Sequence, residues 1–368
     1  MKLFYITNVR LPNDKGHGVQ IAKMAEAFRK ILGDDFELVI PNKAQPKGFD
    51  QTIKDYYALT NELPVKKLDI LDPMFLSRYL SEAFEKPLFN LQILIFGLIT
   101  YFFALSHRGI FYTRDFYLLP FLLLAGKSVY YEAHYFPTNK IAIWLHKLLI
   151  PKLAGVVVIT NAFVNHFKEF NYKKILVAHD ATDITFFKPV PREPNKKIII
   201  GYIGRLSGLG EDKGGNILIE AFKKAYSKNR NIELSIVGEQ QKEKIPGVTF
   251  AGTRPYNEMP YYFNLIDIAV IPFPDRPHFR YFMSPLKLFD YLAVGKPIIT
   301  SDLPSIREVL TEDSAVFCQP GDSDSLAGGM EKLINDKNMR LKMAENNKFL
   351  AKKYTWELRV KKILDFIY

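Results

Sequence analysis

SPLKLFDYLAVGKPIITS, residues 284–301, holds a helix start, a helix stop and the following strand in one run. Ser284 reads as an N-cap, Pro285 as the first helical position and Lys287 as a residue of the first turn. Gly295, Lys296 and Pro297 close the helix in the expected order, and PIITS resumes as a strand. A helix can start this way for stability alone. Lysine is nevertheless unfavourable beside the positive end of a helix dipole, so Lys287 suggests an anion that neutralises it. Asp290, one and a half turns further on, can accept hydrogen bonds from ribose hydroxyls while the helix start holds phosphates.

The same alternation runs outward from this segment. Upstream come IIIGYIGR, a helix from about Gly215 to Tyr226, IELSIVG, VTFAG, a helix near Met259 to Leu265 and IAVIPF; downstream come AVFC, a helix near Ser325 to Leu333 and a basic tail. Before them, FFKPVPREPNKK breaks all periodicity with three prolines and several charges, which places a domain boundary there. The first half repeats the rhythm in KLFYITNV, a helix from about Val19 to Leu32, FELVIP, an apolar helix, GIFYTRD, a helix through Leu124, SVYYEAH, GVVVIT, a helix near Ala162 to Glu169 and ILVAHDAT. Alternating strands and helices predict two doubly wound α/β domains, over 1–187 and 196–352. Residues 353–368 are expected to form a helix that packs back on the N-terminal domain. Domains of this kind carry ligand crevices outside the C-terminal ends of their strands.

Composition narrows the partners. The chain has 368 residues, 48% hydrophobic and 24% charged, which suits two cores and argues against disorder. A formal charge of +11 favours acidic partners such as nucleotide phosphates, anionic lipid or acidic polysaccharide. Nucleic acid has little support, because the basic residues are dispersed and no reader motif accompanies them. The lone Cys318 excludes an intrachain disulfide framework and suits a reducing, cytoplasmic setting. MKLFYITNVRLP is too short an apolar run for a signal peptide and reads as a first strand. Leu88 to Leu105 is uncharged and near spanning length, but Asn90, Gln92 and Gly97 interrupt it and a strand follows almost at once. Three readings stay open there: a buried helix, which is the most economical, a helix in contact with a membrane surface, or a span.

Gly204, Arg205 and Lys213 lie where IIIGYIGR gives way to a glycine-containing loop and a helix. A glycine lets backbone approach a ligand, a helix N-terminus offers N–H groups and partial positive charge, and two cations compensate a diphosphate. In isolation, a turn with solvated cations is the better reading.

The two motifs occur together, and with the tail KKYTWELRVKKIL the segments GYIGRLSGLGEDKGGNILIEAF and SPLKLFDYLAVGKPIITSDLPSIREVL resemble glycosyltransferase family four. The resemblance covers about Ile198 to Leu364 and is weaker before it. It implies a GT-B fold, in which two Rossmann-like domains face a central cleft, and sugar transfer with retention from a nucleoside-diphosphate sugar, without a metal or other cofactor. By the resemblance, Arg205 and Lys213 bind the donor phosphates, the backbone of Ser284, Pro285 and Leu286 supports them, and Asp290 takes the place of the ribose-binding acid. Thr253 and Arg254 match the segment that contacts the base through its backbone. Where the family's paired-glutamate pattern would place another acid, this chain has Phe282, so the contacts to the sugar hydroxyls are not implied.

In the first half, KGHGVQIAKMAEAF sets Gly16 and Gly18 between strand and helix, as in the family's loop beside donor phosphate and acceptor; alone, this G-x-G reads as a turn. A third glycine and an acid closing the second strand would be needed for nicotinamide binding, and Pro41 and Asn42 stand there instead. His134, at the end of SVYYEAH, resembles the histidine placed over the reacting sugar. Glu132, two residues earlier on the same face, can orient it or pair with an arginine. Asp322-Ser323-Asp324 looks like a D-x-D metal motif but sits before a helix, where Asp and Ser serve as caps. The function implied is glycosyl transfer to a hydroxyl of a glycan or lipid-linked cell-envelope acceptor, at the inner face of a membrane if the apolar segment touches one. A nucleotide-sugar epimerase and a silent sugar-nucleotide-binding scaffold are the alternatives.

Overall fold

The structure is a computed structural model. It describes the chain apart from residues 46–48, 136, 138, 170, 171, 192, 194, 195, 209, 210 and 241–243, and apart from the side chains at 78, 207, 208 and 211. The chain divides into two compact units: residues 1–159, 163–178 and 360–368 form the first, and residues 160–162 and 179–359 the second.

The first unit is built on seven strands: β1 (Leu3–Ile6), β2 (Phe36–Asn42), β3 (Val65–Asp69), β4 (Ile110–Thr113), β5 (Ser128–Ala133), β6 (Gly155–Val158) and β7 (Ile175–Val177). They lie in the order β3-β2-β1-β4-β5-β6-β7, and every pairing is parallel. β1, β4 and β6 are buried along their whole length, as strands covered by helices on both faces must be. The helix Gly16–Leu32 turns Ile21, Met24, Ala25 and Phe28 inward at helical spacing. It stops at Gly33, whose φ of 57° suits a residue without Cβ.

The second unit holds β8 (Ile198–Ile203), a short antiparallel pair β9 (Ser207–Gly208) and β10 (Glu211–Asp212), then β11 (Ile232–Val237), β12 (Val248–Gly252), β13 (Ile268–Ile271), β14 (Ile298–Ser301) and β15 (Ala315–Cys318). Six of these make a parallel sheet in the order β12-β11-β8-β13-β14-β15. Successive residues of one strand feed different cores. Ile268 and Val270 join Leu218, Phe222 and Met330; Ala269 and Ile271 join Phe263, Phe289 and Leu292.

The division falls at Ala178, ahead of the proline-rich segment at which the sequence reading separates the halves. The reason lies in what residues 179–187 touch. The Asp180 N–H donates to Ser284 Oγ at 2.9 Å, Thr182 Oγ1 donates to Asp290 Oδ1 at 2.7 Å, and Phe187 is buried in the second unit's core. Val360–Tyr368 belongs to the first unit, where Tyr130 donates to the Ile367 carbonyl at 3.1 Å and Lys362 to that of Val177 at 2.8 Å.

The apolar segment forms the helix Glu85–Ser106, and its two faces differ. Inward, Gln92 exchanges hydrogen bonds with Asn8 at 2.9 and 3.2 Å, and Gly97 lies against Phe121, whose ring a Cβ would approach to 2.2 Å. Thus two of the residues that interrupt the apolar run are packing residues. Outward, Leu91, Leu94, Leu98, Phe102 and Leu105 are exposed at helical spacing. Full burial, the economical expectation, does not describe this helix.

Candidate functional site

In each sheet the strand order reverses direction beside the unit's first strand, between β1 and β4 in the first unit and between β8 and β13 in the second. Loops leaving the C-terminal ends of those strands are where such folds bind ligands. In the second unit the loop after β8 begins at Gly204, with φ of 128°, where a Cβ would come within 2.7 Å of Lys287 Nζ. The Lys287 ammonium sits 3.7 Å from the centroid of the Tyr202 ring. Burial, and then the positive charge of Lys213, hold its pKa well below that of an ordinary lysine. Lys213 is lowered in turn by burial and by Arg205. Neither lysine has a carboxylate partner among the described residues. Three cations held together against their mutual repulsion make a place for an anion.

The structure sorts the two predicted helix starts. Asp212 Oδ1 accepts the N–H groups of Gly214 and Gly215 at 3.0 and 2.8 Å, so the start of the helix Gly215–Lys228 already carries a carboxylate. Gly214, at φ of 89°, leaves no room for a Cβ beside the Pro272 carbonyl. Ser284 does not cap its own helix. That helix runs Leu286–Ala293, has Pro285 at its cap position and no side-chain cap, and the Ser284 hydroxyl is taken by the Asp180 N–H. Leu288 N–H already donates to the Pro285 carbonyl at 2.9 Å, so the N–H groups of Leu286 and Lys287 are the ones at this helix start left for an anion. Asp290 is engaged by Thr182. Arg254 folds back to the Ala251 carbonyl at 2.8 Å, next to Thr253 at the end of β12. Asp322 caps the helix Ser323–Asn335 through the N–H groups of Asp324 and Ser325. Among the described residues, no three His, Cys, Asp or Glu side chains gather to hold a metal ion.

In the first unit a cavity of about 670 Å³ opens over the ends of β1, β4 and β5. Its lining includes Arg10 and Lys15 from the loop after β1, His17 from the first turn of the helix Gly16–Leu32, Arg114 and Asp115 after β4, and His134 after β5. His134 Nε2 lies 2.6 Å from Glu132 Oε1, with the imidazole 18% exposed and the carboxylate fully buried. The same carboxylate accepts Gln20 Nε2 at 2.6 Å and the Tyr112 hydroxyl, and Arg114 donates to Gln20 Oε1 at 2.6 Å. Glu132 thus orients the imidazole, and Gln20 links it to Arg114. Burial, followed by the charges of Arg114, Lys15 and His134, depresses the His17 pKa to about 4. Gly18 has a packing reason of its own: a Cβ there would meet the Tyr57 hydroxyl at 2.3 Å and Asn13 at 2.7 Å. Gly16 starts the helix.

Arg10, Arg114 and Asp115 were missed by motif reading. Arg114 and Asp115 follow directly on β4 in IFYTRD, so strand-end position in a doubly wound sheet could have found them. Arg10 lies in a loop with no such marker.

Residues 183–349 match the family model of glycosyl transferases group 1. The chain is 37% identical over 73 residues to the putative teichuronic acid biosynthesis glycosyltransferase TuaH of Bacillus subtilis, covering 20% of this chain and 18% of that protein. It is 24% identical over 231 residues to the capsular polysaccharide biosynthesis glycosyltransferase CapM of Staphylococcus aureus, covering 58% and 57%. The chain therefore spans little more than half the length of these curated relatives at most. Among solved structures, it superposes on Anabaena Alr3699/HepE in complex with UDP with a TM-score of 0.71 at 16% identity, covering 99% of both chains. The fold is that of the GT-B glycosyltransferases, and the relatives in sequence are glycosyltransferases of cell-envelope polysaccharide synthesis.

Proposed function

We propose that this protein is a retaining, metal-independent glycosyltransferase that moves a sugar from a nucleoside-diphosphate sugar to a hydroxyl of a glycan or lipid-linked cell-envelope acceptor. The observation that carries the reading is the cluster of Arg205, Lys213 and Lys287 around Gly204, at the reversal point of the second sheet. The family match over residues 183–349 and the UDP complex of a structural neighbour support it.

Departure of the diphosphate is the demanding step, because one more negative charge develops on it as the bond from the anomeric carbon to its oxygen breaks. Arg205, Lys213, Lys287 and the N–H groups of Leu286 and Lys287 would stabilise that charge, at about 3 to 4 kcal/mol for a well-placed donor. Thr253 and Arg254 would border the base, and Asp290, once released by Thr182, would receive the ribose hydroxyls. In the first unit, Gly16 and Gly18 would border donor phosphate and acceptor and His134 the reacting sugar, with Glu132 holding the imidazole. No enzyme carboxylate is assigned as nucleophile, so the incoming hydroxyl would attack on the face from which the diphosphate leaves.

We also place the acceptor at a membrane surface on the cytoplasmic side. What supports this is the outward apolar face of the helix Glu85–Ser106, with exposed Ile141 and Trp144 beside exposed Lys140 and Lys147 on the helix Lys140–Leu149.

The test is incubation with UDP-, GDP- and ADP-sugars, with and without cell-envelope lipid and glycan fractions. Release of nucleoside diphosphate that depends on an acceptor fraction is the expected result. An altered free nucleotide sugar without acceptor would instead establish an epimerase, binding of a nucleotide sugar with no turnover on any fraction would leave a silent scaffold, and failure of every nucleotide to bind a folded sample would contradict the donor reading.

A further inference from the structure

The first unit's cavity holds more positive charge than a neutral sugar requires. Arg10, Lys15 and Arg114 line it, and Lys43 stands behind Asn8, donating to its Oδ1 at 2.9 Å. The carboxylates that line it are Asp14 and Asp115, and Asp115 is occupied from within: it accepts Thr7 Oγ1 at 2.9 Å and the Asn8 N–H at 2.5 Å. Three cations thus line the cavity against two carboxylates, with Lys43 behind them. The Arg10 Nε is buried and has no hydrogen-bond partner among the described residues, a costly state for a guanidinium unless something that enters the cavity satisfies it. Burial, and then the positive charges of Arg114 and Lys15, keep His17 neutral well into the acid range, so the imidazole adds no charge of its own there.

The volume, about 670 Å³, far exceeds a bare phosphate and suits a sugar-sized or larger group. Phe49, Tyr117 and Tyr135 offer ring faces for it.

Resting on the reading of this cavity as the acceptor side, we propose that the acceptor carries an oxyanion, a phosphate or a carboxylate, near the hydroxyl that is glycosylated, and that Arg10, Lys15 and Arg114 hold it. Guanidinium groups suit either anion because their forked donors match its oxygens.

The experiment measures binding of glycerol phosphate, glucuronate and methyl glucoside to the full chain by ligand-observed NMR. The protein is first saturated with a nucleoside diphosphate, so that the second unit's cations are filled; should the nucleotide not bind, Lys213→Ala serves as the parent protein instead. One of the two anions is expected to bind and the neutral glycoside not. Lys15→Gln, at an exposed position, and Arg10→Gln should each weaken that binding roughly ten- to a hundredfold, with nucleotide affinity unchanged. Which anion binds identifies the source of the charge. Equal binding of methyl glucoside, or anion binding indifferent to both substitutions, would overturn the inference. Nucleotide failure with anion binding intact would instead remove only the donor reading.

Discussion

The two sheets share one topology and hold two different kinds of crevice. In the second unit the site is built from backbone and fixed charge: Gly204 at positive φ, an uncapped helix start and lysines crowded together. In the first, it is built from side chains that hold one another: His134 on Glu132, Glu132 on Tyr112 and Gln20, Gln20 on Arg114. A diphosphate is a constant shape and charge, and constant donors meet it. An acceptor must be recognised and its reacting hydroxyl positioned, which takes shaped walls and an oriented protic group.

If this contrast is right, substitutions in the two crevices must fail differently. The largest effect is expected for Lys213→Ala, a loss of about a hundred- to a thousandfold in turnover. Folding stability should stay within about 1 kcal/mol of the parent, because the lysine is held in the folded state against burial and a neighbouring cation. A thermal melt beside the assay checks both; a collapse of stability would make this lysine structural. Next comes Glu132→Gln, expected to lower turnover ten- to a hundredfold, as loss of an orienting partner does, with nucleoside-diphosphate affinity retained. Loss of nucleotide binding here would erase the distinction between the crevices.

A smaller effect concerns pH and belongs to the second unit alone. Lys287 has a depressed pKa in the free protein, and a bound diphosphate would raise it. Binding must then take up protons, and affinity must rise as pH falls, by at most about tenfold per pH unit. Titration calorimetry in buffers of different ionisation enthalpy measures this uptake, and Lys287→Met should reduce it, leaving the share of Lys213, whose pKa is also depressed. The smallest effect on turnover is expected on the helix Glu85–Ser106. Leu98→Glu, on its outer face, should release the protein from anionic vesicles while activity on a soluble acceptor persists. Gly97→Ala, one residue earlier, should instead cost roughly 1 to 3 kcal/mol of stability, since its Cβ would meet Phe121 at 2.2 Å.

The elements were legible wherever local pattern decides them. Fully apolar runs became central strands, and Gly33 stops its helix as a C-terminal glycine should. β3, VKKLD, was invisible because an edge strand exposes its lysines and carries no apolar run. The helix Lys337–Ala351 was missed because it buries so little, with Met343, Asn347 and Ala351 as its inward residues. At the sites, the sequence named the loops but not their wiring. Ser284 looks like a cap from its neighbours, yet its hydroxyl goes to Asp180, more than a hundred residues away. Asp212 looks like any loop acid, yet it occupies the helix start that Lys213 precedes. The charge around Arg10 comes from three separate loops, and only folding brings those together.

The central claim is that the diphosphate is held mainly by the second unit. Calorimetric titration of UDP, GDP and ADP into the parent protein, Lys213→Ala and His134→Ala tests it most directly. One nucleotide should bind the parent and His134→Ala alike and fail with Lys213→Ala; binding that survives in Lys213→Ala and disappears in His134→Ala would contradict it.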